Sequence, residues 1–379
     1  AGKLSELRGA AMKVGQLLSM DAGDLLPTEL TAILGRLRAD ARPMPMNEVV
    51  AVMQESLGPG WEQLFKRFSF TPMAAASIGQ VHAAVSQSDR QLALKIQYPG
   101  ISQSIDSDVD NVATLLKVSR LIPDRLDLQP LLQEAKRQLH EEADYLQEAG
   151  HLRHFAVALE ESPEFLVPGV DENLTRENIL AMDLLEGEPI ESLTTATQAT
   201  RDRVMGLLLE LLFRELFDFR MVQTDPNFAN FLYNASTRQL GLLDFGATRR
   251  YDAAVIEAYR GLLEAALHED HAAMSESAQA IGYFKKDIHA QQRAAVIQLF
   301  ILATEPARIR GRFDFGASDL AVRIRDAGMA LSFDQGYWHT PPADAVFLHR
   351  KLGGLYLLAA RLRAKVDVRI ILERYLHHA

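Results

Sequence analysis

The sequence predicts an α+β protein in two lobes, with a small sheet-bearing lobe followed by a helical one. Three observations predict it. Segments with β-type alternation or short apolar runs cluster between Phe68 and Leu185. Helical apolar periodicity dominates the chain beyond Pro189, and the break Glu186-Gly187-Glu188-Pro189 separates the two regions. At 379 residues the chain is long enough to bury two cores.

The chain opens on a helix from Ser5 to about Met20, with Leu4, Leu7, Ala11, Val14 and Leu18 in one apolar stripe. The opposite side carries Gly9, Lys13, Gln16 and Met20, a mixture that suits contact with protein there as well. Asp24–Pro27 ends this element, more helix follows through Arg38, and Arg42-Pro43-Met44-Pro45 is a further break. Met46–Leu57 is helical and stops at Gly58-Pro59-Gly60. Residues 1–67 thus form an N-terminal helical extension.

Residues 68–187 carry the sheet. Phe68–Thr71, Ile78–Ala84 and Gln91–Gln97 read as a small antiparallel sheet. Asp106–Leu121 is helical, and one long helical pattern runs from Leu131 to about Leu159, with Leu131, Ala135, Leu139 and Leu146 on one side. Leu166-Val167-Pro168 and Ile179–Leu185 are further strands. Residues 188–379 are expected to be helical apart from a hairpin over Phe228–Leu243, and no motif stands out beyond about residue 260.

Composition narrows the function classes. The formal net charge is -10 and no Lys/Arg run occurs, which argues against a nucleic-acid partner. The absence of cysteine excludes disulfides, thiolate chemistry and Cys-ligated metal sites, and it fits a reducing compartment. The most apolar stretches, Val204–Phe219 and Leu352–Leu372, are broken by Glu210, Arg214 and Glu215 and by Arg361, Arg363, Lys365 and Arg369. No transmembrane helix is expected, and membrane contact would be peripheral. The chain begins at Ala1 without Met and reads as a trimmed sequence. His151 and His154, an i,i+3 pair on a charged helix, read as surface residues rather than a zinc site.

The chemistry concentrates in two segments. Asp225 and Asn230 stand five apart in Gln223-Thr224-Asp225-Pro226-Asn227-Phe228-Ala229-Asn230, and Asp244-Phe245-Gly246 begins fourteen residues after the Asn. In kinase-like sites the first Asp orients the nucleophile, and the Asn and second Asp hold Mg²⁺. The structural alternative is two turns with capping aspartates. Leu92-Ala93-Leu94-Lys95-Ile96 supplies the strand lysine that reaches ATP phosphates, the alternative being an edge lysine turned to solvent. Glu141, Glu142, Asp144 and Glu148 cluster on the helix that follows, either as its carboxylate partners or as a solvated face. Where a Gly-rich phosphate loop is expected, the chain has Ala74-Ala75-Ala76-Ser77-Ile78-Gly79. Alanine keeps the loop small but denies it the positive φ values open to glycine, so the loop should be stiffer. No Arg precedes Asp225, and a helical pattern over Ala253–Leu267 follows almost at once, with no Ala-Pro-Glu anchor. A peptide-docking platform is missing, which argues against phosphorylation of proteins in trans.

Lys13-Val14-Gly15-Gln16, the Ala74–Ser77 loop, Lys95, Glu142-Ala143-Asp144, Gln223–Asn230 and Asp244-Phe245-Gly246 together resemble the UbiB/AarF family of atypical kinases. The forms Gln-Thr-Asp-Pro-Asn and Asp-Phe-Gly-Ala-Thr-Arg resemble the branch that includes the mitochondrial ubiquinone-biosynthesis kinases. The resemblance implies a protein-kinase-like fold whose N-terminal helical extension lies over the active-site cleft. It implies ATP and Mg²⁺ as cofactors, with Ala74, Ala75, Ala76, Ser77 and Lys95 on the nucleotide and Asn230 and Asp244 on the metal. It assigns catalytic roles to Asp225, Lys95, Lys13, Gln16, Glu142, Asp144 and Glu148, with Lys13 meeting Glu142 and Asp144 while Lys95 pairs with Glu148. It further implies an atypical kinase or ATPase in isoprenoid quinone biosynthesis. The implied partners are adenine nucleotide and quinone-biosynthesis enzymes or lipid precursors. The implied location is the cytoplasmic face of a bacterial inner membrane or the mitochondrial matrix side. Two other readings stand beside it: a pseudokinase scaffold, and a small-molecule phosphotransferase. The latter shares the Asp-x4-Asn and Asp hairpin but predicts neither the Lys-x-Gly-Gln helix nor the alanine loop.

Overall fold

The computed structural model describes residues 10–11, 13–15, 43–119, 129–225, 227–284, 288–333 and 341–376. They fall into two compact bodies, one up to residue 186 together with 241–247, the other over 187–240 together with 248 onward. Of the expected N-terminal extension, residues 10–11 and 13–15 are helical; Gln16 lies outside the described residues.

The first body holds helix α1 (Met46–Leu57) and strands β1 (Phe65–Phe68), β2 (Ala74–Ala75), β3 (Gly79–Ser86) and β4 (Gln91–Gln97). Helices α2 (Ile101–Ser119), α3 (Gln129–Glu142) and α4 (Tyr145–Ala158) follow, then strands β5 (Phe165–Leu166) and β6 (Ile179–Asp183). The sheet runs β1-β3-β4-β6, with β2 paired to β3, and every pairing is antiparallel. The first strand lies three residues earlier than the expected Phe68–Thr71. Trp61 explains the shift: its ring meets Phe65, Phe68 and Phe70 at centroid separations of 6.2, 5.2 and 6.3 Å, all edge-on. That aromatic cluster draws Phe65–Phe68 against the sheet.

β4 is central and buried on both faces, which is why it reads as an unbroken apolar run. Leu92, Leu94 and Ile96 join the core with Val49, Met53 and Trp61. The alternate residues Ala93, Lys95 and Gln97 face the other way, so strand pleating alone places a lysine in the interior. Gly79 sits opposite Gln97 in register, and a Cβ there would lie 2.2 Å from the carbonyl oxygen of Ile96. Only glycine allows so close an approach. The expected long helix from Leu131 to Leu159 is two helices. The chain leaves α3 at Ala143, and the Asp144 carboxylate accepts the Gln147 N–H at 2.9 Å, starting α4 as its N-cap.

The second body begins with β7 (Glu188–Pro189) and α5 (Gln198–Phe213), which runs into a π-helical turn over Arg214–Asp218. β8 (Met221–Gln223), the hairpin strands β9 (Phe231–Asn234) and β10 (Gln239–Leu242, its last two residues counted with the first body), and β11 (Thr248–Arg250) follow. Then come α6 (Ala253–Leu267), α7 (His271–Ile281), α8 (Ala290–Ala303), α9 (Glu305–Arg308), β12 (Phe313–Asp314), α10 (Leu320–Phe333), α11 (Ala343–Arg361), β13 (Lys365–Val366) and α12 (Val368–Leu376). α5 buries Val204, Met205, Leu208, Leu209, Leu211 and Leu212, a nearly all-round apolar surface suited to a central helix. Two strand pairs, β8 with β11 and β12 with β13, were not expected, because two- or three-residue strands are too short to show alternation. No helix among the described residues is long and apolar enough to cross a membrane.

Candidate functional site

In the first body the site is built around Lys95. Its Nζ lies 3.0 and 2.9 Å from the two carboxylate oxygens of Glu148 on α4 and 3.2 Å from Asp244 Oδ2. The ammonium also stands 5.1 Å from the centre of the Tyr145 ring. Burial alone would lower the pKa of this lysine, but Asp244 and Glu148 outweigh it and hold its pKa well above the usual range. Burial pushes the Glu148 carboxyl up, with Lys95 opposing. Burial would raise Asp244 too, yet Lys95, the Gly246 N–H and Lys13 bring it below the ordinary carboxylate range. Lys95 thus stays cationic and Asp244 anionic across physiological pH.

A second ion pair stands beside the first. Lys13, nearly fully buried, pairs with Glu142 Oε1, and Glu142 Oε2 accepts the Ser77 hydroxyl at 2.5 Å. The alanine loop is therefore tied through Ser77 to the end of α3. Ala74 and Ala75 are exposed and pair with Val81 and Gln80, and the Ala76 N–H donates to the Gly79 carbonyl at 2.9 Å, closing the turn. Asp144, expected beside Lys13, spends its carboxylate on the α4 N-cap instead.

Two residues of this body escaped sequence reasoning. Tyr145 is fully buried, its ring beside Lys95 and its hydroxyl without a hydrogen-bond partner. Only its place directly after the acidic Glu142–Asp144 segment could have signalled it. His151, read as a surface residue, donates from Nδ1 to the Phe245 carbonyl at 3.0 Å and is half-buried. Phe155, one turn further, meets the Phe245 ring with centroids 4.4 Å apart. One face of α4 thereby presents Glu148, His151 and Phe155 to the Asp244-Phe245-Gly246 segment, the i,i+3,i+7 spacing of a helix stripe. Within that segment the Gly246 N–H donates to Asp244 Oδ1 at 3.0 Å.

The second body places Asp225 and Asn230 together. Asn230 Nδ2 donates to Asp225 Oδ2 at 3.0 Å, and the Asn227 N–H approaches Asp225 Oδ1 at 3.3 Å. The Asn227 side chain in turn accepts the Ala229 N–H at 3.2 Å, capping the 3-10 turn Phe228–Asn230. With its amide nitrogen committed to Asp225, Asn230 keeps Oδ1 available as an oxygen ligand.

The match to known proteins covers most of the chain. The ABC1 atypical kinase-like domain matches residues 36–278. The chain is 39% identical over 366 residues to the mitochondrial atypical kinase COQ8 of Saccharomyces cerevisiae, covering 96% of this chain and 73% of that protein. It is 36% identical over 374 residues to the mitochondrial atypical kinase COQ8B of Rattus norvegicus, covering 99% and 70% respectively. Among solved structures, the Rv3197–erythromycin complex from Mycobacterium tuberculosis superposes with a TM-score of 0.67 at 25% identity, covering 98% of this chain and 93% of that one. The α+β, kinase-like architecture expected from the sequence is the one present. The chain belongs to the ABC1 atypical kinase-like family, the UbiB/AarF group that its motifs resemble.

Proposed function

We propose that this chain is an ATP-binding, Mg²⁺-dependent atypical kinase or ATPase that supports ubiquinone biosynthesis and acts on or near hydrophobic precursors. The observation that carries the reading is the buried Lys95, held cationic between Glu148 and Asp244 on a central strand. A lysine kept charged at such a desolvation cost suits an anionic ligand such as the α- and β-phosphates. The donor chemistry also fits the metal: Asp244 is an ionised carboxylate and Asn230 has an uncommitted amide oxygen, the hard oxygen ligands that Mg²⁺ takes. Asp244 and Asn230 would hold the ion, which when bound neutralises phosphate charge.

The remaining roles fall to this chain's own groups. Asp225, oriented by Asn230 Nδ2, would position the attacking oxygen of water or a small acceptor and receive its proton. Ser77 and Ala74–Ala76 would cover the phosphates, and Lys13, Gln16 and Glu142 would limit access to them. Asp144 would act indirectly, by fixing where α4 starts. The intact set Lys95, Asp225, Asn230 and Asp244 favours turnover over a pseudokinase scaffold. Adenine nucleotide is the proposed ligand, quinone-biosynthesis enzymes or lipid precursors the partners, and peripheral contact with a membrane the setting.

The test is Mg²⁺- and ATP-dependent phosphate release, with and without a quinone-precursor mimic, for wild type and Asp244→Asn. Release by wild type that is stimulated by the mimic and lost in Asp244→Asn is expected. Equal background rates in both proteins would overturn the enzymatic reading. Quinone quantification in a deletion strain complemented with each form tests the pathway: restored quinone with wild type alone is expected, and no restoration with wild type overturns that part.

A further inference from the structure

α11 lies outside the 36–278 segment matched by the family, yet one face of it holds both strands that flank Asp225 in sequence and pairing. β8 ends at Gln223, two residues before Asp225, and pairs with β11 through Gln223↔Thr248, Val222↔Arg249 and Met221↔Arg250. Arg249 is gripped twice from α11: its guanidinium lies 4.0 Å from the Phe347 ring centre and 2.9 Å from Asp344 Oδ1. The Tyr251 hydroxyl donates to the Asp344 carbonyl at 2.8 Å.

The grip on β8 is made through a buried ion pair. Lys351, further along the same face at i,i+3,i+7 from Asp344 and Phe347, pairs with Glu215. Both are almost wholly shielded, Lys351 at 4% exposure and Glu215 at 1%. The Gln223 backbone N–H also acts on the Glu215 carboxylate, favouring its charged form against burial. Glu215 belongs to the π-helical turn Arg214–Asp218, a rare geometry that recurs at functional sites and here directly precedes β8 in the chain. Burial pushes the Glu215 carboxyl up and the Lys351 ammonium down, so each depends on the other to remain charged.

We propose that Lys351, acting through Glu215 on the Gln223 N–H, is a positioning residue that sets where the Asp225 segment leaves β8, with Asp344 and Phe347 holding the partner strand β11. Apolar packing alone would hold these strands against α11 but would leave the Gln223 N–H without its acceptor. A charged acceptor would restrain that amide, two residues from Asp225. The role in turnover rests on the reading of Asp225 as the group that positions the nucleophile; the positioning itself does not.

The test compares wild type, Lys351→Met, Lys351→Arg and Arg361→Met. The last breaks an exposed pair of the same helix with Glu191 and has no tie to β8. Amide hydrogen exchange is read on peptides spanning residues 221–225, and kcat and KM on ATP-dependent phosphate release. Lys351→Met should speed exchange there at least several-fold and lower kcat about tenfold with KM for ATP nearly unchanged, Lys351→Arg should restore most of both, and Arg361→Met should match wild type. Should Lys351→Met fail to fold, the double variant Glu215→Leu, Lys351→Met removes both charges and still leaves the Gln223 N–H unpaired. Unchanged exchange at 221–225 in a folded Lys351→Met or double variant overturns the proposal, as does an equal effect in Arg361→Met. A wild type without phosphate release overturns the proposed function instead, and the exchange data still decide the positioning.

Discussion

Ser77 donates its hydroxyl to Glu142 Oε2 at 2.5 Å, and the other oxygen of the same carboxylate carries the ammonium of Lys13. The alanine loop and the N-terminal helix therefore share one acceptor. A charge-assisted bond of this kind is worth about 1.5–3 kcal/mol when buried, and less here because the pair is partly exposed. Ser77→Ala should weaken ATP–Mg²⁺ affinity by roughly 3–10-fold, read by titration with a fluorescent nucleotide. Equal affinity in the two proteins would show that the bond does not hold the loop in its binding form.

Removing Lys95 leaves Glu148 buried without its counter-charge. Lys95→Met should cost about 3–5 kcal/mol in urea denaturation, and Lys95→Met with Glu148→Leu should recover most of that loss. Phosphate release should be absent from both. A single variant as stable as wild type would mean that the lysine and the carboxylate are not coupled.

Gly79→Ala drives a methyl group into the backbone of β4, since the added Cβ would lie 2.2 Å from the Ile96 carbonyl oxygen. Backbone yields less readily than a side chain, so a cost of about 1–3 kcal/mol is expected. The denaturation midpoint reports it, and an unshifted midpoint would contradict the close approach of β3 and β4.

His82 gives the first body a dependence on pH. Its Nδ1–H donates to the Ser69 carbonyl at 2.8 Å, and Nε2 accepts from Gln80 Nε2 at 3.0 Å. Gln80 Oε1 in turn accepts the Met44 N–H at 3.0 Å. Protonating the ring would set donor against donor at Gln80. Burial lowers the pKa of His82 below its ordinary value, the Ser69 bond partly opposing. A depressed histidine stabilises the fold above its unfolded pKa of about 6.5, and that stability is lost as pH falls below it. Wild type should therefore lose more stability between pH 7 and about pH 5 than His82→Asn, which keeps a donor to Ser69 and cannot titrate. Parallel urea-midpoint profiles for the two proteins would refute this.

Much of the candidate site's placement was legible because its residues stand in short, recognisable spacings. Lys95 inside an apolar strand, Asp225 with Asn230, and Asp244-Phe245-Gly246 stand out within a few residues, and the structure sets Lys95 beside Asp244 and Asn230 beside Asp225. Asp144 was misplaced because the helical periodicities of α3 and α4 join without a Gly or Pro between them, and an aspartate capping a helix leaves the same composition as one on its surface. His151 was read as exposed because its partner, the Phe245 carbonyl, is 94 residues away. Lys351 and Glu215, 136 residues apart, leave no local trace at all. β8 and β11 escaped because three residues cannot display a period. Local patterns register in sequence; contacts closed by tertiary packing do not.

The N-cap at Asp144 has one more consequence. On an unbroken helix, Glu142 and Glu148 would project about 120° apart around one axis, fixed by helix geometry alone. With the chain restarted at Asp144, that angle is set by a single capping carboxylate rather than by the 3.6-residue repeat. Each acid is then free to meet its own lysine, Lys13 for one and Lys95 for the other. Lengthening or fusing the two helices would turn one pair out of alignment while leaving the other in place. A residue that touches neither lysine thus governs whether both are matched at once.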